Sequence, residues 1–223
     1  MSIWKRLGSW KWLGQDGGSA LLSALMVVTL LTMVGSVLAL TTVTETLISA
    51  NYRTARGTLY AADAGLERAM ADLRVSANWS LVLKPPPANL TSGFNDGAAA
   101  PRGPDGTTLD LTKLTELQQA DSDARYGKAG PDPNRPAWRL FAHADLTRLR
   151  PADIPSAMAY VTVWVADDPA EQDDDPSRDS NGVLLLHAEA FGAVGARSQV
   201  EATVQRAQSA ERTVHVVSWR HIR

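Results

Sequence analysis

Residues 19–44 read SALLSALMVVTLLTMVGSVLALTTVT, twenty-six positions without a single charge. A bilayer core of about 30 Å takes roughly 20 apolar residues in a helix, so this run is long enough to span one. No second run like it occurs in the chain, which therefore reads as a single-pass membrane protein with the rest on one side. The preceding leader, MSIWKRLGSWKWLGQDGG, carries Lys5, Arg6 and Lys11 against Asp16. Positive flanks stay in the cytoplasm, so residues after about 45 are expected in the periplasm. Trp4, Trp10 and Trp12 suit the headgroup level. A removed secretory signal has an apolar stretch of about 7–15 residues followed by a small-residue cleavage site. The present run is about twice that length, and an amphipathic helix pattern follows it.

No proline interrupts residues 41–74, and the periodicity continues through TETLISANYRTARGTLYAADAGLERAMADLR. Tyr52, Leu59, Leu66 and Leu73 recur every seven residues, with Ile48, Ala55, Ala62 and Ala69 as a second row. Together they make one apolar stripe, while Arg53, Arg56, Glu67, Arg68 and Asp72 take the solvated side. Residues 19–74 as one helix would extend about 84 Å at 1.5 Å per residue. Gly57 and Gly65 each cost about 1 kcal/mol of helix propensity relative to alanine. The heptad rows admit a coiled-coil stalk, whereas the alanines favour close packing on a sheet.

A basic leader ending in Gly17-Gly18, followed by Ser19-Ala-Leu-Leu, resembles the class III signal of type IV pilins and type II secretion pseudopilins. The stretch from Arg56 to Ala69, with AADAGLE at residues 61–67, resembles the AAEAGLE helix of PilX-type minor pilins, with Asp63 where glutamate is common. Ser218-Trp219-Arg220 resembles the close of such proteins. The resemblance implies that a prepilin peptidase cuts after Gly18 on the cytoplasmic face, that Ser19 becomes the methylated first residue, and that the apolar helix is kept. It also implies neighbours: other minor pilins and the major pilin. Most pilins carry glutamate at the fifth mature position, where this chain has Ser23. A carboxylate in lipid is costly unless paired, so its loss fits a subunit with no earlier neighbour to pair with, as at a pilus tip. Simple drift within the family would leave the same residue.

The fold expected is α+β and pilin-like. A leader (1–18) precedes a spine helix (19–75), an irregular loop-rich region (76–156) and an antiparallel sheet of about four strands (157–223). The irregular region holds Lys84-Pro-Pro-Pro87, Gly93 to Gly97, Pro101 to Gly106 and Gly127 to Asn134, all turn or polyproline chemistry. Short elements are expected over 109–117 and 136–149, with Trp138, Leu140, Phe141 and Leu146 in the core. Strands are expected over 159–165, 183–191, 198–205 and 214–222. In the first of these, Tyr160, Thr162 and Trp164 alternate with Val161, Val163 and Val165. One face of the sheet should pack on the helix stripe.

With 44% hydrophobic and 21% charged residues, most of the chain can bury a core. A net charge of −2 gives no reason to expect a nucleic-acid partner. The absence of cysteine excludes disulfides and thiolate metal sites. Acidic residues concentrate between Asp167 and Gly182, where Asp173, Asp175, Asp179 and Asn181 have spacing that suits calcium. The EF-hand pattern fails, because with Asp179 and Asn181 as its third and fifth positions the twelfth is Ala188 and Glu189 falls one place late. A solvated hairpin loop that keeps a sheet edge soluble is the reading the pattern favours. His215 and His221, six apart, are expected on one strand face, without the spacing of a zinc site. No nucleophile motif, phosphate loop or paired acid set is present, so no enzyme is expected. The functional reading is a minor pilin of an initiating or tip complex, anchored in the inner membrane before assembly. The alternatives are a type II secretion tip pseudopilin, a pilus-tip adhesin using residues 76–155, or a plain anchored protein with an uncut leader.

Overall fold

A computed structural model describes residues 16–86, 88–125, 134–149, 159–207 and 213–222. The leader up to residue 15, Pro87 and the turn expected over 127–133 lie outside the described residues. Three helices, α1 (Asp16–Val75), α2 (Ser80–Leu83) and α3 (Leu111–Arg125), accompany five strands, β1 (Arg139–Asp145), β2 (Ala159–Asp167), β3 (Val183–Gly192), β4 (Arg197–Arg206) and β5 (Val214–Ile222). The chain divides into two compact units, residues 1–51 and 52–223.

In the second unit the strands pair antiparallel in the order β1-β2-β3-β4-β5, a meander in which each strand meets its neighbour in sequence. The four strands read from alternation are all present. The fifth, β1, comes from the region expected to be irregular, and its alternation is broken by a bulge at Phe141 between Leu140 and Ala142. α3 and β1 fall on the short elements expected over 109–117 and 136–149, and with α2 they make 76–156 more ordered than its turn chemistry predicts. Tyr160 Oη donates to Asp96 Oδ2 at 2.9 Å, and Ser92 N donates to the Phe141 carbonyl at 2.8 Å, tying the loop that holds them to β1 and β2.

The two faces of the sheet differ in chemistry. Pairing register places Val161, Val163 and Val165 of β2 beside Ala190, Ala188 and Leu186 of β3, then Ser198, Val200 and Ala202 of β4. This face is almost wholly apolar and receives the second part of α1 in one continuous core. The opposite face carries Trp164, His187, Glu189 and Glu201, and a smaller cluster of Trp138, Trp164 and Ala166 packs there against Leu114 of α3. β2 is buried along its whole length because both faces are covered.

A second bulge corrects one expectation. Gln205 pairs His215 and Val200 pairs His221, and those β4 partners are five residues apart, so they face opposite ways. The extra residue, Val217, shifts the alternation, and His215 and His221 lie on opposite faces of the sheet.

Candidate functional site

Within the second unit, the helix seat is built from small residues. Ala61, Ala62, Leu66, Ala69 and Leu73 of α1 are buried against the sheet, and Leu59 packs at the margin of the same core. At Gly65 the approach is very close: a Cβ there would overlap Val161 Cγ1 and stand 3.3 Å from Val163 Cγ2. A Cβ on Gly192 at the end of β3 would likewise overlap the buried Thr58 hydroxyl. Glycine at these two points lets helix and sheet backbones approach more closely than any side chain permits. Of the stripe read from the sequence, Leu59, Leu66 and Leu73 meet the sheet. Tyr52 does not: it is 59% exposed, and its hydroxyl accepts from Arg56 Nε at 2.9 Å. The heptad row continues past the first buried position of the seat, Thr58, so periodicity alone overextended the face.

The first unit holds the apolar run of α1. From Leu21 to Ile48 its large hydrophobic residues are exposed. The hydroxyls of Thr29, Thr32, Ser36, Thr41, Thr42, Thr44 and Thr46 each donate to the carbonyl four residues earlier, at 2.7–2.9 Å. With backbone bonds made within the helix and these hydroxyls turned onto it, the surface offered outward is hydrocarbon, as a lipid surrounding demands. Among the described residues this is the one helix long and apolar enough to cross a membrane. Gly18, Ser19 and Ser23 all lie within α1 and are exposed.

The acidic residues sit in the loop between β2 and β3. Of the four read from the sequence, Asp175 is taken up in its own turn, its Oδ1 accepting from Ser177 N at 3.0 Å and Ser177 Oγ at 2.6 Å, which holds its carboxyl below the usual range. Asn181 donates to Asp168 Oδ2 at 2.6 Å, and Asp179 Oδ1 accepts from Gly182 N at 2.7 Å. Asp173 instead joins two residues that sequence reading passed over: one carboxylate oxygen from each of Asp167, Glu171 and Asp173 lies within 4.8 Å of the other two. Burial, reinforced by the neighbouring Glu171 carboxylate, pushes Asp167 up to about 8. Burial also raises Glu171 and Asp179. The sequence did hold a signal for Asp167. It continues the parity of Val161, Val163 and Val165, and so belongs on the core face of β2.

Between α3 and the polar face of the sheet, Glu201 gathers three partners. It pairs with Arg125 of α3 and with Arg220 of β5, and lies 3.2 Å from His187 Nδ1. A cavity of about 300 Å³ adjoins this cluster, lined by Ser122, Arg125, Trp138, Glu201 and Arg220.

A long N-terminal helix, apolar and bare along its first part and seated by its second part on an antiparallel sheet, is a pilin-like α+β layout. Residues 17–67 match the family described as PilX N-terminal, so this segment is similar to the N-terminal part of PilX-type type IV pilins. The match takes in Gly18, Ser19, the apolar run and the helix as far as Glu67, including Gly65 at its close contact with β2. No curated protein and no solved structure matches the chain.

Proposed function

We propose that this chain is a minor pilin that helps start or tip a type IV pilus. In this reading the leader through Gly18 is removed by a prepilin peptidase and Ser19 is methylated. Residues 19–75 then serve first as an inner-membrane anchor and afterwards as a spine. The sheet domain faces the periplasm and selects its neighbours, which are other minor pilins and the major pilin. The role is structural, performed by packing rather than by chemistry on a substrate.

The observation that carries the proposal is the coincidence of the PilX match with the bare apolar half of α1. Apolar surface of this extent is stable only in lipid or in a bundle of like helices. A pilin helix meets both in turn. Ser23 supports the tip position, since a subunit with no earlier neighbour has no amine to pair and no use for an unpaired carboxylate in lipid. Sheared pili, quantified from cells lacking this chain and from cells carrying Ser23→Glu, test the reading. Loss of the chain should cut piliation severely, and Ser23→Glu should disturb assembly or move the subunit away from the tip. Unchanged piliation without the chain would remove it from pilus initiation, and an indifferent Ser23→Glu would remove the argument for the tip.

A further inference from the structure

Carboxylates buried together repel one another, and folding tolerates that only where something compensates. In the β2–β3 loop the described residues do not supply the usual compensation. Asp167 and Glu171 are only 5% and 6% exposed. Asp167 Oδ1, Glu171 Oε2 and Asp173 Oδ2 are each buried without a hydrogen-bond partner among the described residues. Their surroundings add further negative charge from Asp168 and Asp179. The cation near Asp179 is Arg206, whose guanidinium donates to the carbonyls of Ser76 and Ala77 and lies 4.5 Å over the Trp79 ring.

The loop nevertheless holds these groups in place. Glu171 Oε1 accepts from Ser180 N at 2.7 Å, and Asp173 Oδ1 accepts from Asp175 N at 3.1 Å, so each fixes one oxygen and leaves the other bare. Ser80 of α2 donates to the Asp179 carbonyl and accepts from Asp179 N at 3.1 Å, seating the loop on the domain. Asp174 takes a left-handed backbone (φ 59°) between Asp173 and Asp175, and Asn134 accepts from its amide at 3.0 Å. Three neighbouring carboxylates on a braced loop form a ligand set of the kind a cation takes.

We propose that Asp167, Glu171 and Asp173 bind a divalent cation, and that the ion is calcium. The donors are all hard oxygens, which select the calcium, magnesium and manganese class over zinc or copper. Ligand supply then favours calcium. One carboxylate oxygen from each of the three residues lies within 4.8 Å of the other two, and a cage of three protein carboxylates suits calcium, whereas magnesium usually keeps several waters and binds through one or two carboxylates. Water or loop carbonyls would complete the six to eight oxygens that calcium takes. The site differs from the one read from spacing, sharing only Asp173 with it, and it stands independently of the pilin reading.

The test uses the full chain in detergent, stripped with a chelator and then titrated with calcium or magnesium chloride at matched ionic strength. Melting temperature and calorimetric heat are the readouts. Calcium up to about 10 mM, beyond the weak end of known calcium modules, should raise the melting temperature by several degrees, and magnesium should do markedly less. In the isosteric pair Asp167→Asn with Glu171→Gln, the calcium response should vanish. The stripped variant should melt no lower than the stripped wild type, because the cost of burying two neighbouring carboxyl groups is relieved, and that shows that the variant still folds. No calcium response in the wild type, an equal response to magnesium, or a calcium response that survives in the double variant would each overturn the proposal.

Discussion

Gly65 of α1 lies directly on Val161 of β2, so close that a methyl group on the glycine would overlap the valine Cγ1. This contact sets how far the spine helix sinks onto the sheet, and it explains a glycine in the middle of a long helix, where glycine costs about 1 kcal/mol against alanine. The alanines around it, Ala61, Ala62 and Ala69, and the facing Ala188 and Ala190 keep the same short separation along the seat.

Replacing Gly65 with alanine should therefore destabilise the domain despite the gain in helix propensity. Overpacking costs typically about 1–3 kcal/mol, and Val161, β-branched and fully buried, has little room to turn away. The expected result is a melting temperature lower by roughly 2–12 °C, using about 2–4 °C per kcal/mol for a chain of this size. Gly35, with nothing within 4 Å of an added Cβ, is the control, and alanine there should leave the domain's melting unchanged.

Trp164 Nε1 donates to Thr115 Oγ1 at 2.8 Å, pinning α3 to the polar face of the sheet. Thr115→Val keeps the shape and removes the acceptor, leaving a buried indole N–H unpaired at a cost of about 1–3 kcal/mol. Hydrogen exchange should quicken first in α3 while β3 and β4 stay protected. Equal loss of protection across the whole domain would mean that α3 and the sheet open together and that this bond is no separate latch.

The three-way clasp of Glu201 gives a pH dependence of known sign. Burial alone would raise its carboxyl, but hydrogen bonds from His187, Arg220 and Arg125 outweigh burial and hold it at about 2. The folded value lies below the unfolded one, near 4.5, so the unfolded chain binds more protons between them. Stability from this group is complete above about 4.5 and is lost as pH falls toward 2. Glu201→Gln should cost up to about 3 kcal/mol at neutral pH, and the gap between variant and wild type should close as the solution is acidified. A gap that stays constant from pH 6 to pH 2.5 would show that the charge on Glu201 contributes nothing.

Much of this architecture was legible because its elements obey simple periods. The spine helix carries an unbroken apolar run and a heptad stripe, and the strands from β2 to β5 alternate or run apolar, so their limits fell within two residues of those observed. The misses share one cause, which is that tertiary contacts overrode the local pattern. A short element is legible over 136–149, but its strand character hides because the bulge at Phe141 breaks the alternation of β1. A short element is likewise legible over 109–117, but the helical character and full length of α3 hide because it covers a polar face, making contacts through Thr115, Gln119 and Arg125 as much as through Leu114, and so it shows no clear apolar stripe. Tyr52 fits the helical period but lies before the first residue buried in the seat. In the acidic loop, spacing picked residues that satisfy their own turns, while the buried pair Asp167 and Glu171 became visible only once β2 was seen to run inward to its last residue.

The central claim, that this chain is processed and used as a pilin, is tested most directly at its N-terminus. Mass spectrometry of the protein from membranes with and without an active prepilin peptidase reads that end. The account predicts a chain beginning at a methylated Ser19 when the peptidase is active and an uncut leader when it is absent. An intact Met1 in both, or cleavage well beyond residue 40, would contradict it.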